Sequence, residues 1–199
     1  MLAAMLDKSN RWGEKMHVAL DGVAFETSPK NTIACSLFHL SNEHYFGGHI
    51  LLSTGVRGSA FALFRPQFDA FVRGLWAQGP ASDSEVIAFA DGASPPRLSA
   101  MIASVENSSP EFGKIISTVT KNAWTSMCDF THGGALQIRA RAHHDVIEQR
   151  YTDQHCAQLL EAMCMLSYHA SLCILGACGN ESQAKELCHI FRECFPIEN

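Results

Sequence analysis

The chain has no CxxC pair, no glycine-rich phosphate loop of the P-loop or dinucleotide-binding kind, and no convincing strand-like alternation. The missing glycine loops argue against an ATP- or dinucleotide-dependent enzyme. The missing alternation leaves helix as the only regular element and sets the fold class as all-α, a bundle of about five long helices plus short ones. Internal repeats and low-complexity segments are also absent, so the 199 residues are expected to form a single all-helical domain over 1–199 around one core. Charge is sparse. Only 18% of residues are Asp, Glu, Lys or Arg, and the net charge is −5 with ten histidines neutral. That excludes a broad electrostatic grip on nucleic acid and leaves room only for a local basic patch.

Between Glu161 and Glu181 there is no charged residue. Ser167, His169, Ser171, Gly176 and several cysteines hold the hydrophobicity of that run down, so a buried central helix is expected there and no membrane span. Eight cysteines are many, and six fall between Cys156 and Cys194 in helix-like sequence. Secreted disulfide scaffolds are shorter and loop-rich, so these read as buried thiols in a reducing, cytoplasmic setting. The first residues meet charge early and carry no signal-peptide run.

The stretch Ser59–Gln78, SAFALFRPQFDAFVRGLWAQ, organises the rest. Phe61, Phe64, Phe68, Phe71 and Leu75 recur at steps of three and four, a helical seam for a deep core. Arg65, Asp69 and Arg73 recur at steps of four, and Trp76 closes the same stripe. At about 100° per residue it lies beside the aromatic seam. This Arg–Asp–Arg ladder is either a structural ion network or the wall of a polar, ligand-binding site. Pro66 inside the pattern should kink the helix or begin its regular part.

Other helices are set by their punctuation. A first helix is expected over 2–25, stopped by Ser28-Pro29, and a second from a cap at Asn31 or Thr32 to Gly55. Short helices should run from Ser82 or Ser84 to Phe89 and from Arg97 to Val105. Residues 107–113 read as flexible, with a long helix after them from Lys114 to Phe130. Gly133-Gly134 should end it, Thr152 should cap the next helix to about Cys178, and the last should run from Glu181 to Phe195.

Three histidines, His39, His44 and His49, are five apart. Five residues put successive side chains about 140° apart on a helix, so they cannot share one metal. His169 and Cys173 are four apart, but no second pair completes a zinc set. No metal site and no cofactor is expected. Cys128 near His132 is a conceivable thiol nucleophile, set against its place inside a helix pattern.

The densest polar cluster is Asp129, His132, Arg139, Arg141, His143, His144 and Asp145, at a junction between helices. An Arg and a His spaced like Arg139 and His144 suit attack of an RNA 2′-hydroxyl on its own phosphate. The His moves the proton and the Arg holds charge developing on phosphorus, without metal. A solvated basic turn is the structural alternative.

Three segments together, GSAFALFRPQFDAFVRGLWA from Gly58, NAWTSMCDFTHGGALQIRAR from Asn122 and the cysteine-rich helix after Tyr151, resemble an uncharacterised group of bacterial all-helical proteins. That group carries a domain of unknown function, and the likeness spans about residue 30 to the end. More distantly the arrangement is similar to the HEPN superfamily (higher eukaryote and prokaryote nucleotide-binding domains). That resemblance implies a helical bundle acting as a homodimer, often a metal-independent ribonuclease of toxin–antitoxin or phage-defence systems. Its signature, Arg then four to six residues then His, falls on Arg139 and His144, with Ala140 where the family has a small polar residue. Two expectations result. One is an RNA-binding or RNA-cleaving protein with a site at His132, Arg139 and His144 and with Arg65, Asp69 and Arg73 nearby. The other is a non-catalytic module whose polar motifs are structural and whose partner is a protein.

Overall fold

A computed structural model of the chain describes residues 1–143 and 145–196. The elements are α1 (Leu2–Leu20), α2 (Pro29–Ser53), α3 (Arg57–Gln78), α4 (Asp83–Ala90), α5 (Leu98–Ser108), α6 (Pro110–His132), α7 (Ala135–Arg139), β1 (Ala142–His143), β2 (Val146–Ile147), α8 (Asp153–Ala177) and α9 (Glu181–Cys194). The fold is all-α. Among the described residues five helices are long, and the strands form a two-residue antiparallel hairpin pairing Ala142 with Ile147 and His143 with Val146.

Local chemistry sets most boundaries. Ser28 accepts from the Asn31 N–H and Pro29 takes the first helical position, so the Ser-Pro pair that reads as a stop is the start of α2. Ser82 and Glu85 form a reciprocal capping box on α4. Pro110 opens α6 in the same way as Pro29, which moves that helix four residues earlier than Lys114 and turns the expected flexible stretch into a tight α5–α6 corner. Gly133 ends α6 at φ 67°, left-handed backbone that glycine adopts without strain. The first helix stops at Leu20 rather than near residue 25, and a turn at Asp21 and Gly22 comes directly after it.

Pro66 does not interrupt α3. Its ring removes the N–H that would bond the Ala62 carbonyl, and the Thr131 hydroxyl of α6 donates to that carbonyl instead, at 3.3 Å. The proline thus becomes part of the α3–α6 contact. Phe64, Phe68, Phe71 and Leu75 point into the core, and Phe68 and Phe71 are fully buried. Gly74 lets the Phe38 ring of α2 sit against α3, where an added Cβ would lie 2.5 Å from that ring.

The long apolar helix α8 lies between α1, α2, α3 and α9. It is the one helix among the described residues that is long and apolar enough to cross a membrane, and 56% of its most apolar window is buried inside the bundle. Buried polar side chains stitch it in place. Trp12 Nε1 donates to Ser167 Oγ at 2.8 Å, Asn42 to Ser171 Oγ at 3.1 Å, and Gln67 to the Met163 carbonyl at 2.9 Å. Burial pushes the Cys164 and Cys173 thiols up to about 12, which removes them as nucleophiles.

Candidate functional site

The junction from Gly133 to Thr152 is built on one buried network. Gln137 donates to the carbonyls of Gly58 (3.2 Å) and Phe130 (2.9 Å). Its own side-chain oxygen accepts from the Tyr151 hydroxyl at 2.6 Å and from Arg141. Arg141 also donates to the Tyr151 oxygen at 2.8 Å. A Cβ at Gly58 would lie 2.9 Å from the Tyr151 hydroxyl and against the Arg141 guanidinium, so the glycine makes the room. Arg57 then binds the Tyr151 carbonyl and pairs with Asp153 at 2.7 Å. Asp129 accepts from the Leu136 N–H at 3.1 Å and shapes the turn after α6. Arg141 and Asp129 are therefore spent on architecture.

Arg139 makes no side-chain hydrogen bond or ion pair among the described residues. It is exposed and lines a cavity of about 880 Å³ between α3, α6, α7 and α8. Phe61, Phe64, Phe130 and Tyr151 are among its walls. Phe61 stacks on Tyr151 with centroids 5.1 Å apart and meets Phe130 at 4.7 Å. Arg150, His155 and Gln158 share the lining with Arg139, and all four are exposed. The Arg150 guanidinium makes a long contact, 3.6 Å, to Glu148. The volume falls within the range of small-molecule sites, and the combination of apolar walls and a basic edge suits a flat, apolar group carrying an anion.

The second candidate group lies across α6 from the cavity. Helices α3 and α6 run antiparallel, with Phe61 against Phe130 and Phe71 against Phe112. In that register the Arg65–Asp69–Arg73 stripe faces a stripe of α6 at the same step, Thr120, Trp124, Cys128 and His132. Arg65 Nη1 donates to His132 Nε2 at 2.8 Å and to Cys128 Sγ at 3.2 Å, its guanidinium lies 4.9 Å from the Trp124 ring, and its Nε is 3.8 Å from Asp69. A guanidinium has no acceptor, so His132 presents its Nε2 lone pair to Arg65 and carries its proton on Nδ1. Asp69 Oδ1, Arg73 Nε and Thr120 Oγ1 are buried without a protein partner among the described residues. Burial raises the Asp69 pKa against the opposing pull of Arg65 and Arg73. Arg65, Asp69 and Arg73 do not line the cavity that Arg139 lines.

The sequence-selected residues thus divide. His132 joins Arg65 and Asp69 in the α3–α6 seam. Arg139 stands at the cavity. His144 lies outside the described residues. Among the described residues no three His, Cys, Asp or Glu side chains form a group able to hold a metal ion. His169, four residues from Cys173, bonds the Met165 carbonyl through Nδ1 at 2.7 Å and is enclosed by Phe71, Phe112 and Tyr168.

Sequence reasoning passed over Arg150 and His155. The signal was present: a cap at Thr152 puts His155 in the first turn of α8, three residues from the cap, and its backbone N–H does bond Thr152 Oγ1 at 3.1 Å.

A family model described as a family of unknown function, DUF6988, matches residues 38–197. The chain belongs to that family. No curated protein and no solved structure matches it. The DUF6988 match takes in α3, α6 and α8, and hence both the cavity and the seam, whereas α1 lies outside it.

Proposed function

We propose that this DUF6988 protein binds single-stranded RNA at the α6–α8 cavity. One observation carries the reading: aromatic walls at Phe61, Phe130 and Tyr151 and two arginines, Arg139 and Arg150, belong to the same opening. Unpaired bases stack on aromatic faces with little regard to sequence, and arginine forks suit phosphate. A duplex offers no free base face to such a cavity. The Arg139–His144 spacing, which in the sequence resembles the HEPN signature, is in keeping with the same ligand, and we extend the reading to metal-free RNA cleavage in the cytoplasm, of the kind used in toxin and phage-defence systems.

The test is fluorescence anisotropy with a labelled single-stranded oligoribonucleotide in EDTA, beside the same sequence as a duplex. Tighter binding of the single strand, weakened tenfold or more by Arg139→Ala with Arg150→Ala, is the expected result. Equal affinity of wild type and double variant overturns it.

A second reading, a homodimer or protein-interaction module, is favoured by a different observation. Ile138, Val146 and Ile147 are exposed on the junction, Ile147 at 89%. Exposed apolar side chains grouped on one feature mark contact surfaces. Sedimentation should show a dimer that Ile147→Glu converts to monomer; a wild-type monomer at all concentrations removes the homodimer.

A further inference from the structure

We infer that the group taking the 2′-hydroxyl proton, when RNA lies in this cavity, is His155. The inference rests on the RNA-binding proposal and adds to it a named base.

Two features separate His155 from His132. The Nε2 lone pair of His132 is engaged by Arg65 in the seam, and its other ring nitrogen carries the proton, so it has no free acceptor. His155 lines the same cavity as Arg139 and Arg150, is exposed, and its ring makes no hydrogen bond among the described residues. A neutral imidazole there offers a free nitrogen to a ligand. Its position is also fixed. Thr152 caps the first turn of α8 at the His155 N–H, Arg57 pairs with Asp153, and Tyr151 is held by Gln137 and Arg141. A base mounted on the first turn of a 25-residue helix meets the positional demand of general-base chemistry better than one on a loop.

The step balances without metal or redox partner. The 2′-oxygen attacks the adjacent phosphorus while its proton passes to the free nitrogen of neutral His155. The bond from phosphorus to the 5′-oxygen breaks, and that oxygen takes a proton from water. The products are a 2′,3′-cyclic phosphate and a 5′-hydroxyl, and the imidazolium returns its proton to the hydroxide left behind. Arg139 and Arg150 face the charge on the phosphoryl oxygens.

The experiment tracks binding by anisotropy and cleavage by gel on the same labelled single-stranded RNA in EDTA. It uses wild type, His155→Ala and His132→Ala, with a strand carrying 2′-deoxyribose throughout as the substrate control. General bases contribute about 10²–10⁴-fold, so cleavage by His155→Ala should fall at least about 100-fold while affinity falls far less. Added imidazole should restore part of the rate, which a merely structural loss would not allow. Wild-type cleavage that survives His155→Ala, or that is lost in His132→Ala instead, overturns the assignment. Binding without cleavage by the wild type also overturns it and leaves the binding proposal standing. Absence of binding removes both.

Discussion

Arg65 spends both N–H groups of one guanidinium nitrogen on α6, one on His132 Nε2 at 2.8 Å and one on Cys128 Sγ at 3.2 Å. The same side chain covers Trp124 and approaches Asp69. It is the clasp between α3 and α6 rather than a free cation. Removing His132 deletes one exposed bond, so His132→Ala should lower stability by about 0.5–1.5 kcal/mol. Arg65→Ala strips the seam of its cation and leaves the half-buried Asp69 without its nearest charge, and should lower stability by more than His132→Ala. Urea titrations of the two variants give the order, and the reverse order would break this description of the seam.

The aromatic seam of α3 gives a larger effect. Phe68 and Phe71 are fully buried, and Phe71 also meets Phe38 and Phe112. Phe68→Ala or Phe71→Ala should each lower stability by about 3–5 kcal/mol in chemical denaturation. A loss near about 1 kcal/mol at both positions would put the core elsewhere. Overpacking tests the same region from the opposite side. Gly74→Ala drives a methyl into the buried Phe38 ring and should cost about 1–3 kcal/mol.

Acid should destabilise the fold through its histidines. Burial lowers the pKa of His44, His49 and His169 below the ordinary 6.5. For each, the unfolded chain takes up a proton first as pH falls through 6.5. Their contribution is therefore complete above 6.5 and is lost as pH falls toward the lower folded values. Asp69 acts in the opposite sense. Its raised pKa lets the folded carboxyl hold a proton above 3.8, which favours the fold as pH drops. With three groups against one, Tm should fall between about pH 7.5 and 5.5, and His49→Gln with His169→Gln should flatten that slope. A Tm that rises over this interval would contradict the histidine account.

RNA binding at this cavity should depend only weakly on salt. Two arginines in its lining engage about two phosphates, and single strands lose affinity with a slope of about −0.7 per phosphate, so log K against log salt should fall with a slope of about −1.4. The net charge of −5 gives no wider basic surface to steepen it. A slope of about −4 or beyond, measured by anisotropy between low and moderate salt, would place the contact on a different and larger surface.

The amino-acid sequence shows faces well and partners poorly. Phe64, Phe68, Phe71 and Leu75 fall on the buried side of α3 as their spacing predicts, and the Arg65–Asp69 step of four closes an ion pair. Gly133 and Thr152 end and begin helices because each solves a local backbone problem. The failures have different causes. Ser28-Pro29 reads equally as a stop and as a start, and the Ser28 cap on the Asn31 N–H with Pro29 in the first helical position makes it a start. Arg139 and Arg141 stand two apart in one basic run, yet one reaches Gln137 and Tyr151 in the interior and the other opens to solvent. That division is made by Gly58, some eighty positions earlier, which no local pattern exposes. His132 falls to the seam for a similar reason: its neighbour Arg65 comes from another helix.

The bond from Trp12 to Ser167 spans 155 positions, and this separation has a meaning for synthesis. A ribosome adding about 5–20 residues per second makes α1 wait roughly 8–30 s before α8 emerges to receive it. Throughout that interval Trp12 lacks its Ser167 partner. Helix α1 therefore docks onto α8 only late in synthesis, long after it has itself been made.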